Sequence, residues 1–378
     1  MGPIGHNGEW LLGLVLLAVA GDTDTATPIP AGEPDWEALL RMAREQSVAA
    51  LLCDGVQRLP ADRQPGRDVV ERLLVMQQHA EAESQRHNRA LRELLRLCNA
   101  NDIPAMVLKG LTVAACYPKP EHRECADVDV YHFGREDEVE ELLSRQEGVE
   151  IVRDKAGRHN KYLLGGVTVE CHRHFVSTAR YPSLARYGEH LERMLREEGH
   201  TRTVDFSGAQ LVIPSPTWSA LMLLRHMADH FGKDRMPLRQ VVDWAMLVRA
   251  YHGKIDWKEV MEVVEWSGLR RFFDAVNAIV VGCLHVKRAM LPCEVARYED
   301  DRLAQRVMAD VMVGCEAAAA RKGQGGATAE IGCRGSLLCE AAHSHRRFWR
   351  NAWKHRLTHQ DPLLGTYLRF MKSFLKPE

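Results

Sequence analysis

The chain has 378 residues, enough for two or three domain-sized units, and its hydrophobic content of 46% is ample for a packed core. Its 50 basic and 51 acidic residues leave a formal charge of −1. No global basic field therefore draws it to nucleic acid or an anionic membrane, which argues against a nucleic-acid polymerase. Its ten cysteines include no Cys-x-x-Cys pair, so neither a zinc ribbon nor a thioredoxin-like motif is indicated, and a reducing cytoplasm fits best.

The apolar run Trp10–Ala20 spans only 11 residues, short of the ~20 that cross a bilayer. The preceding Met1–Glu9 lacks the Lys or Arg of a secretory leader, so the run reads as a first core helix. Trp36–Leu59 carries apolar residues near helical spacing (Leu39, Leu40, Met42, Val48, Leu51, Leu52), and Pro60, Pro65 and Gly66 then break the chain. Asp68–Cys98 is a long amphipathic stretch. Its polar middle, Gln77–Arg89, reads as a solvated face with no assigned function. Asn101-Asp102-Ile103-Pro104 ends the helix, closing an N-terminal helical region, 1–101.

A mixed α/β core, 102–213, follows. Ala105–Leu108 reads as a buried strand ending at Lys109-Gly110, with a short apolar helix from Leu111 to Cys116. A polar loop leads to Ala126-Asp-Val-Asp-Val-Tyr131. Strand alternation has period two, so Asp127 and Asp129 point the same way. Paired carboxylates repel unless a cation lies between them, and hard divalent ions favour such oxygen pairs together with substrate phosphates. Gly110 lets a phosphate approach the backbone closely, and the helix after it presents free N–H groups. A helix from Gly134 to Leu143, a strand at Val149–Val152 and a hairpin around Gly165-Gly166 come next. In the hairpin's second arm Thr168, Glu170 and His172 share a face, so Glu170 can supply a third carboxylate. Leu211–Ile213 reads as the last strand.

Pro214-Ser215-Pro216 marks the start of a helical C-terminal domain, 214–378, with Ser215 as N-cap and Pro216 as first helical residue. Helices are predicted at Thr217–Phe231, Leu238–Ala250, Trp257–Trp266 and Arg271–Leu284. His226 and His230 lie four apart on one helical face. With Asp243 they resemble a metal site in spacing, but Met227 stands where a His-Glu-x-x-His motif has its Glu, so a substrate-pocket or structural role is preferred. The Ala/Gly-rich segment 317–335 reads as a loop. The basic, aromatic tail His343–Arg356 reads either as an amphipathic helix packing Phe348, Trp349 and Trp353 onto the body or as a surface for RNA or an acidic partner.

Leu108-Lys109-Gly110, Tyr117-Pro118, Arg123, Asp127-Val-Asp129 and Val169-Glu170-Cys-His172 together resemble the uncharacterised nucleotidyltransferase family of the DNA polymerase beta-type superfamily, from about Trp10 onward. The superfamily's Gly-Ser turn is replaced here by Lys109-Gly110, with Leu111 where the Ser would sit. The resemblance implies an α+β protein: a small mixed-sheet nucleotidyltransferase core between N-terminal helices and a helical C-terminal domain. It implies metal-dependent transfer of an NMP group from an NTP, most simply ATP, to an acceptor, with release of pyrophosphate.

On this reading Asp127, Asp129 and Glu170 are catalytic and hold Mg²⁺ or Mn²⁺. Lys109, Gly110 and Arg123 cradle the donor phosphates, Arg123 having a salt bridge to Asp127 as its alternative. His172, His226 and His230 face the substrate. The acceptor is a small molecule, peptide or protein, and neither membrane nor nucleic acid is expected as a partner. A non-catalytic nucleotide- or peptide-binding protein of the same fold, and a zinc hydrolase centred on His226, His230 and Asp243, are the alternatives.

Overall fold

The computed structural model describes residues 4–20, 29–153, 159–233, 235–292, 294–323 and 345–374. The chain opens with α1 (His6–Val19), α2 (Trp36–Glu45), α3 (Ala49–Gln57) and the 33-residue α4 (Arg67–Asn99). Asp35 caps α2 by accepting from Ala38 N. The stretch predicted as one apolar segment, Trp36–Leu59, is two helices. Ser47 stands between them with φ 54°, a left-handed conformation that ends a helix.

Seven strands form one mixed sheet in the order β3-β4-β5-β2-β1-β7-β6. They are β1 (Met106–Val107), β2 (Val128–Tyr131), β3 (Glu150–Arg153), β4 (His159–Leu164), β5 (Val167–His172), β6 (Thr201–Phe206) and β7 (Ala209–Pro214). β2 and β5 are parallel, as are β1 and β7, and the other neighbours are antiparallel. β6 is an addition to the expected set. It pairs with β7 across Ser207-Gly208, both at positive φ, a two-residue turn with a readable Gly signal. Helices α5 (Gly110–Ala114), α6 (Glu136–Ser144) and α7 (Ala185–Met194) punctuate the strands.

The C-terminal helices are α8 (Pro216–Lys233), α9 (Leu238–Tyr251), α10 (Trp257–Trp266), α11 (Arg270–Cys283) and α12 (Arg302–Gly323), followed by Ala352–Thr358 and Leu363–Phe374. Ser215 Oγ accepts from Trp218 N, the expected cap. The predicted loop 317–335 starts inside α12, which continues to Gly323, and 324–335 lies outside the described residues. In the tail, Phe348 stacks on Phe370 and Trp353 meets Phe231 edge-on. The aromatics therefore pack onto the body, although Trp349 keeps 43% of its surface exposed.

The apolar residues fall into two cores. One joins α1–α3 to the C-terminal helices, and the other lies on the sheet under α6. α4 belongs to both: Val69, Leu73 and Met76 enter the first, while Leu91, Leu94, Leu95 and Cys98 enter the second. At 1.5 Å per residue α4 is a beam of about 50 Å. Gln46 ties the two helical segments together, its amide donating to Val311 O and accepting from Leu238 N. Among the described residues no helix is long and apolar enough to cross a membrane.

α1 and α3 touch at Gly55, where an added Cβ would stand 2.1 Å from the Leu14 carbonyl oxygen. That oxygen is backbone and cannot swing aside. Gly55→Ala should therefore destabilise the protein by about 1–3 kcal/mol or more. Gly253→Ala, which meets open space, should stay within about 0.5 kcal/mol of wild type. Paired urea denaturation curves check both.

Candidate metal and phosphate site

The site starts from strand register. Asp129 on β2 lies opposite Glu170 on parallel β5, and Tyr131 opposite His172. Alternation then sends Asp129, Glu170 and His172 to the same face of the sheet. Each offers one ligand atom, and these atoms lie within 4.8 Å of one another. From antiparallel β4, Lys161 pairs with Glu170 and His159 with His172.

β1 and β2 bring the cation. Leu108 N donates to Asp129 O, and the chain turns at Lys109 with φ 41° and ψ −98°, a strained backbone for a residue other than glycine. The side chain that results is nearly buried, with Nζ 2.9 Å from Asp129 Oδ1. His172 Nε2 lies 2.6 Å from the same oxygen. Lys161 Nζ is 2.6 Å from Glu170 Oε1, and His159 Nε2 is 3.6 Å from Glu170 Oε2.

Burial alone would raise the Asp129 carboxyl, but the Lys109 and His172 charges and hydrogen bonds outweigh it and hold the group well below the usual carboxylate range. Asp127 is in the opposite position. Burial, then the charges of Asp129 and Glu170, push it up to about 6. Asp127 thus lies beside the centre and feels its charge, while the tight cluster of possible ligands consists of Asp129, Glu170 and His172. α5 is a single short helix of 5 residues, so its dipole is small and the Lys109 charge dominates this end of the site.

Arg123 departs from both expectations. Its guanidinium pairs with Asp243 of α9, not with Asp127: Nε is 2.9 Å from Oδ1 and Nη2 is 2.8 Å from Oδ2. Tyr117 OH donates to Asp243 Oδ1 at 2.7 Å. A planar two-pronged donor matches a buried carboxylate better than an exposed one across a strand. One arm is left over. Arg123 Nη1 is buried without a hydrogen-bond partner among the described residues, and lies 3.3 Å from where a Cβ would stand on Gly110.

With both oxygens engaged, Asp243 has none to share with His226 and His230, and no such trio gathers as a ligand cluster among the described residues. The zinc-hydrolase alternative therefore lacks its centre. The His226 and His230 rings meet edge-on at 4.5 Å. Burial, then the charge of Lys109, holds His226 well below its ordinary value, with Asp129 opposing.

Three residues escaped the sequence reading. Lys161 and His159 precede the hairpin turn, and their places follow by counting back from Glu170 and His172 across Gly165-Gly166. Arg239 stands four residues before Asp243 on α9, 3.4 Å from it, and its charge reaches Asp127, Glu124 and His226. The Arg-x-x-x-Asp spacing was its readable signal.

A buried acidic pair on neighbouring parallel strands, held by lysines and a histidine and faced by a helix, defines an α+β protein with an acidic centre suited to a divalent cation. The chain matches the uncharacterised nucleotidyltransferase family over residues 32–284 and belongs to that family. Among solved structures, an antigenic nucleotidyltransferase-like protein from Paracoccidioides brasiliensis is similar at 15% identity and a TM-score of 0.31, covering 44% of this chain and 77% of its own. No curated protein matches the chain.

The Arg123–Asp243 pair is testable through stability. Arg123→Ala strands a buried carboxylate and should cost about 3–5 kcal/mol in urea denaturation. Burial raises the Asp243 carboxyl, but Arg123 and Arg239 outweigh it and the net shift is downward. A lowered folded value makes the contribution full above the unfolded value of about 3.9 and lost as pH falls through the folded one. The stability gap between wild type and Asp243→Asn should therefore shrink only in strong acid.

Proposed function

We propose that this protein is a metal-dependent nucleotidyltransferase that moves an NMP group from an NTP, with ATP the first donor to test, to an acceptor hydroxyl and releases pyrophosphate. The observation that carries it is the Asp129–Glu170–His172 cluster beside the Lys109-Gly110 turn, in a chain of nucleotidyltransferase family. Two carboxylates and an imidazole within 4.8 Å fit a small divalent cation. The imidazole nitrogen suits Mn²⁺ at least as well as Mg²⁺. Asp129, Glu170 and His172 would hold it, with Asp127 from the rim. When bound, such a cation neutralises phosphate charge and makes the α-phosphorus more electrophilic.

The remaining work belongs to side chains. The Lys109 ammonium, already paired with one anion, is placed to exchange it for a donor phosphate oxygen. Gly110 opens α5 beside Lys109, packed closely against Cys125 Sγ, and the spare arm of Arg123 lies next to the same glycine. Glu170 draws the proton from the acceptor hydroxyl. The acceptor oxygen bonds to the α-phosphorus as the bond to the pyrophosphate oxygen breaks, and pyrophosphate leaves. His226 and His230 line the acceptor side. The described cysteines are free, which supports work in a reducing cytoplasm. The acceptor is a small molecule, peptide or protein side chain.

A second reading has its own support. Lys109 and Lys161 already neutralise Asp129 and Glu170, as in a fold that binds a nucleotide or peptide without turning it over. Calorimetric titration of each NTP with and without Mg²⁺ or Mn²⁺ separates the two. A catalytic centre predicts metal-dependent binding that weakens at least about tenfold in Asp127→Asn/Asp129→Asn, with loss of pyrophosphate release. Metal-independent binding that survives in the double variant supports the non-catalytic reading instead.

A further inference from the structure

The polar middle of α4 keeps an exposed side at Gln78, Gln85, Arg86 and Arg89, and turns another side inward. Met76, Ala80, Glu83, Ser84 and His87 recur at helical spacing and line one side of a cavity of about 570 Å³. The opposite wall is Gly110, Leu111 and Ala114 of α5, and the loop Arg123–Ala126 closes it just before Asp127. The cavity therefore begins where the donor phosphates are placed and runs away from the carboxylates towards α4. Its lining is largely apolar, and its volume lies within the range of small-molecule and cofactor sites.

Two polar groups stand out in this wall. At the Gly110 end, Arg123 Nη1 is buried and unbonded, and a guanidinium N–H in that state calls for an anionic or strongly accepting oxygen. At the α4 end, His87 lines the cavity and keeps only 3% of its surface exposed. Burial, then the charge of Arg86, lowers its pKa, so the ring is a neutral imidazole offering one donor and one acceptor. The Arg123 arm, buried and unsatisfied, is costly as it stands and points to a missing partner.

We infer that this cavity takes the nucleoside of the donor, with the phosphates at Gly110 and Arg123, the base between Met76, Ala80 and Leu111, and His87 bonding a heteroatom of the base edge. The inference rests on the donor-site reading above and adds to it where the base lies and what touches it. A ligand anionic at one end and flat, uncharged and rich in heteroatoms at the other suits the unbonded Arg123 arm and the neutral His87 ring in the wall. The walls are apolar enough to cover a base, and Ser84 and Glu83 stand beside His87 on the same helical face.

The test compares ATP with inorganic tripolyphosphate, which carries the phosphates without the nucleoside. Both are titrated calorimetrically with Mn²⁺ into the wild type, Ala80→Phe and His87→Phe, after melting curves confirm that the variants fold. Wild type should bind both. Ala80→Phe fills the cavity and should weaken ATP at least about tenfold while tripolyphosphate stays within about twofold, a steric loss confined to the nucleoside. His87→Phe keeps the bulk but removes the hydrogen bond, and should weaken ATP by about 2–10-fold.

Unchanged ATP affinity in both variants overturns the inference and leaves the donor site standing. If Ala80→Phe loses both ligands, the phosphate cradle has moved, and His87→Phe decides: retained ATP affinity there overturns the inference, and selective loss of ATP upholds it. A wild type that binds neither ligand overturns the donor-site reading, and this inference with it.

Discussion

Two carboxylates buried side by side repel each other and have lost the water that would stabilise each of them. Every element around Asp129 and Glu170 answers that constraint. β1 ends in a turn strained enough to swing Lys109 inward, β4 supplies Lys161 and His159, and β5 supplies His172. None of these is needed to form a sheet. Each instead sets a cation or a hydrogen-bond partner against one of the two acids. The arrangement sets a positive charge beside each buried acid.

The second constraint lies behind the first. Arg123 and Asp243 form a buried, two-pronged ion pair between the loop before β2 and helix α9. Behind that loop His122 bonds Asp54 of α3 and Glu81 of α4, and Lys119 bonds Asp54 as well. Glu124 accepts from Ala49 N and Ala50 N, supplying the cap that Val48 cannot give to α3. A single loop, residues 117–126, is thereby fastened to α3, α4 and α9. It has little secondary structure of its own, and its placement comes almost entirely from buried polar contacts.

These two constraints differ in how far they could be read from sequence. The period-two runs at 127–131 and 167–172 show which acids share a face, because alternation is local. Ser215 before Pro216 shows a helix start for the same reason. The partner of Arg123 is 120 residues away, and no local pattern distinguishes Asp243 from Asp127 as its mate. Ser47 takes a left-handed conformation that a glycine would have advertised and a serine does not. The middle of α4 is legible only in part: its polarity shows the side that meets solvent, but not that Met76, Ala80 and His87 on another side line a cavity.

The hairpin at Gly165-Gly166 has a consequence for which insertions and deletions this chain can carry. Both glycines stand at positive φ, and the two-residue turn sets β4 against β5, which is in turn set against β2. Adding one residue there forces a slip. If β4 slides, Lys161 and His159 leave the face they share with Glu170; if β5 slides, Glu170 itself turns to the apolar side. A surface turn with open space around it is ordinarily where length varies most freely. In this protein it acts as a length gauge for a site a few residues away, so indels here should be rarer than exposure alone suggests, and changes by two residues better tolerated than changes by one.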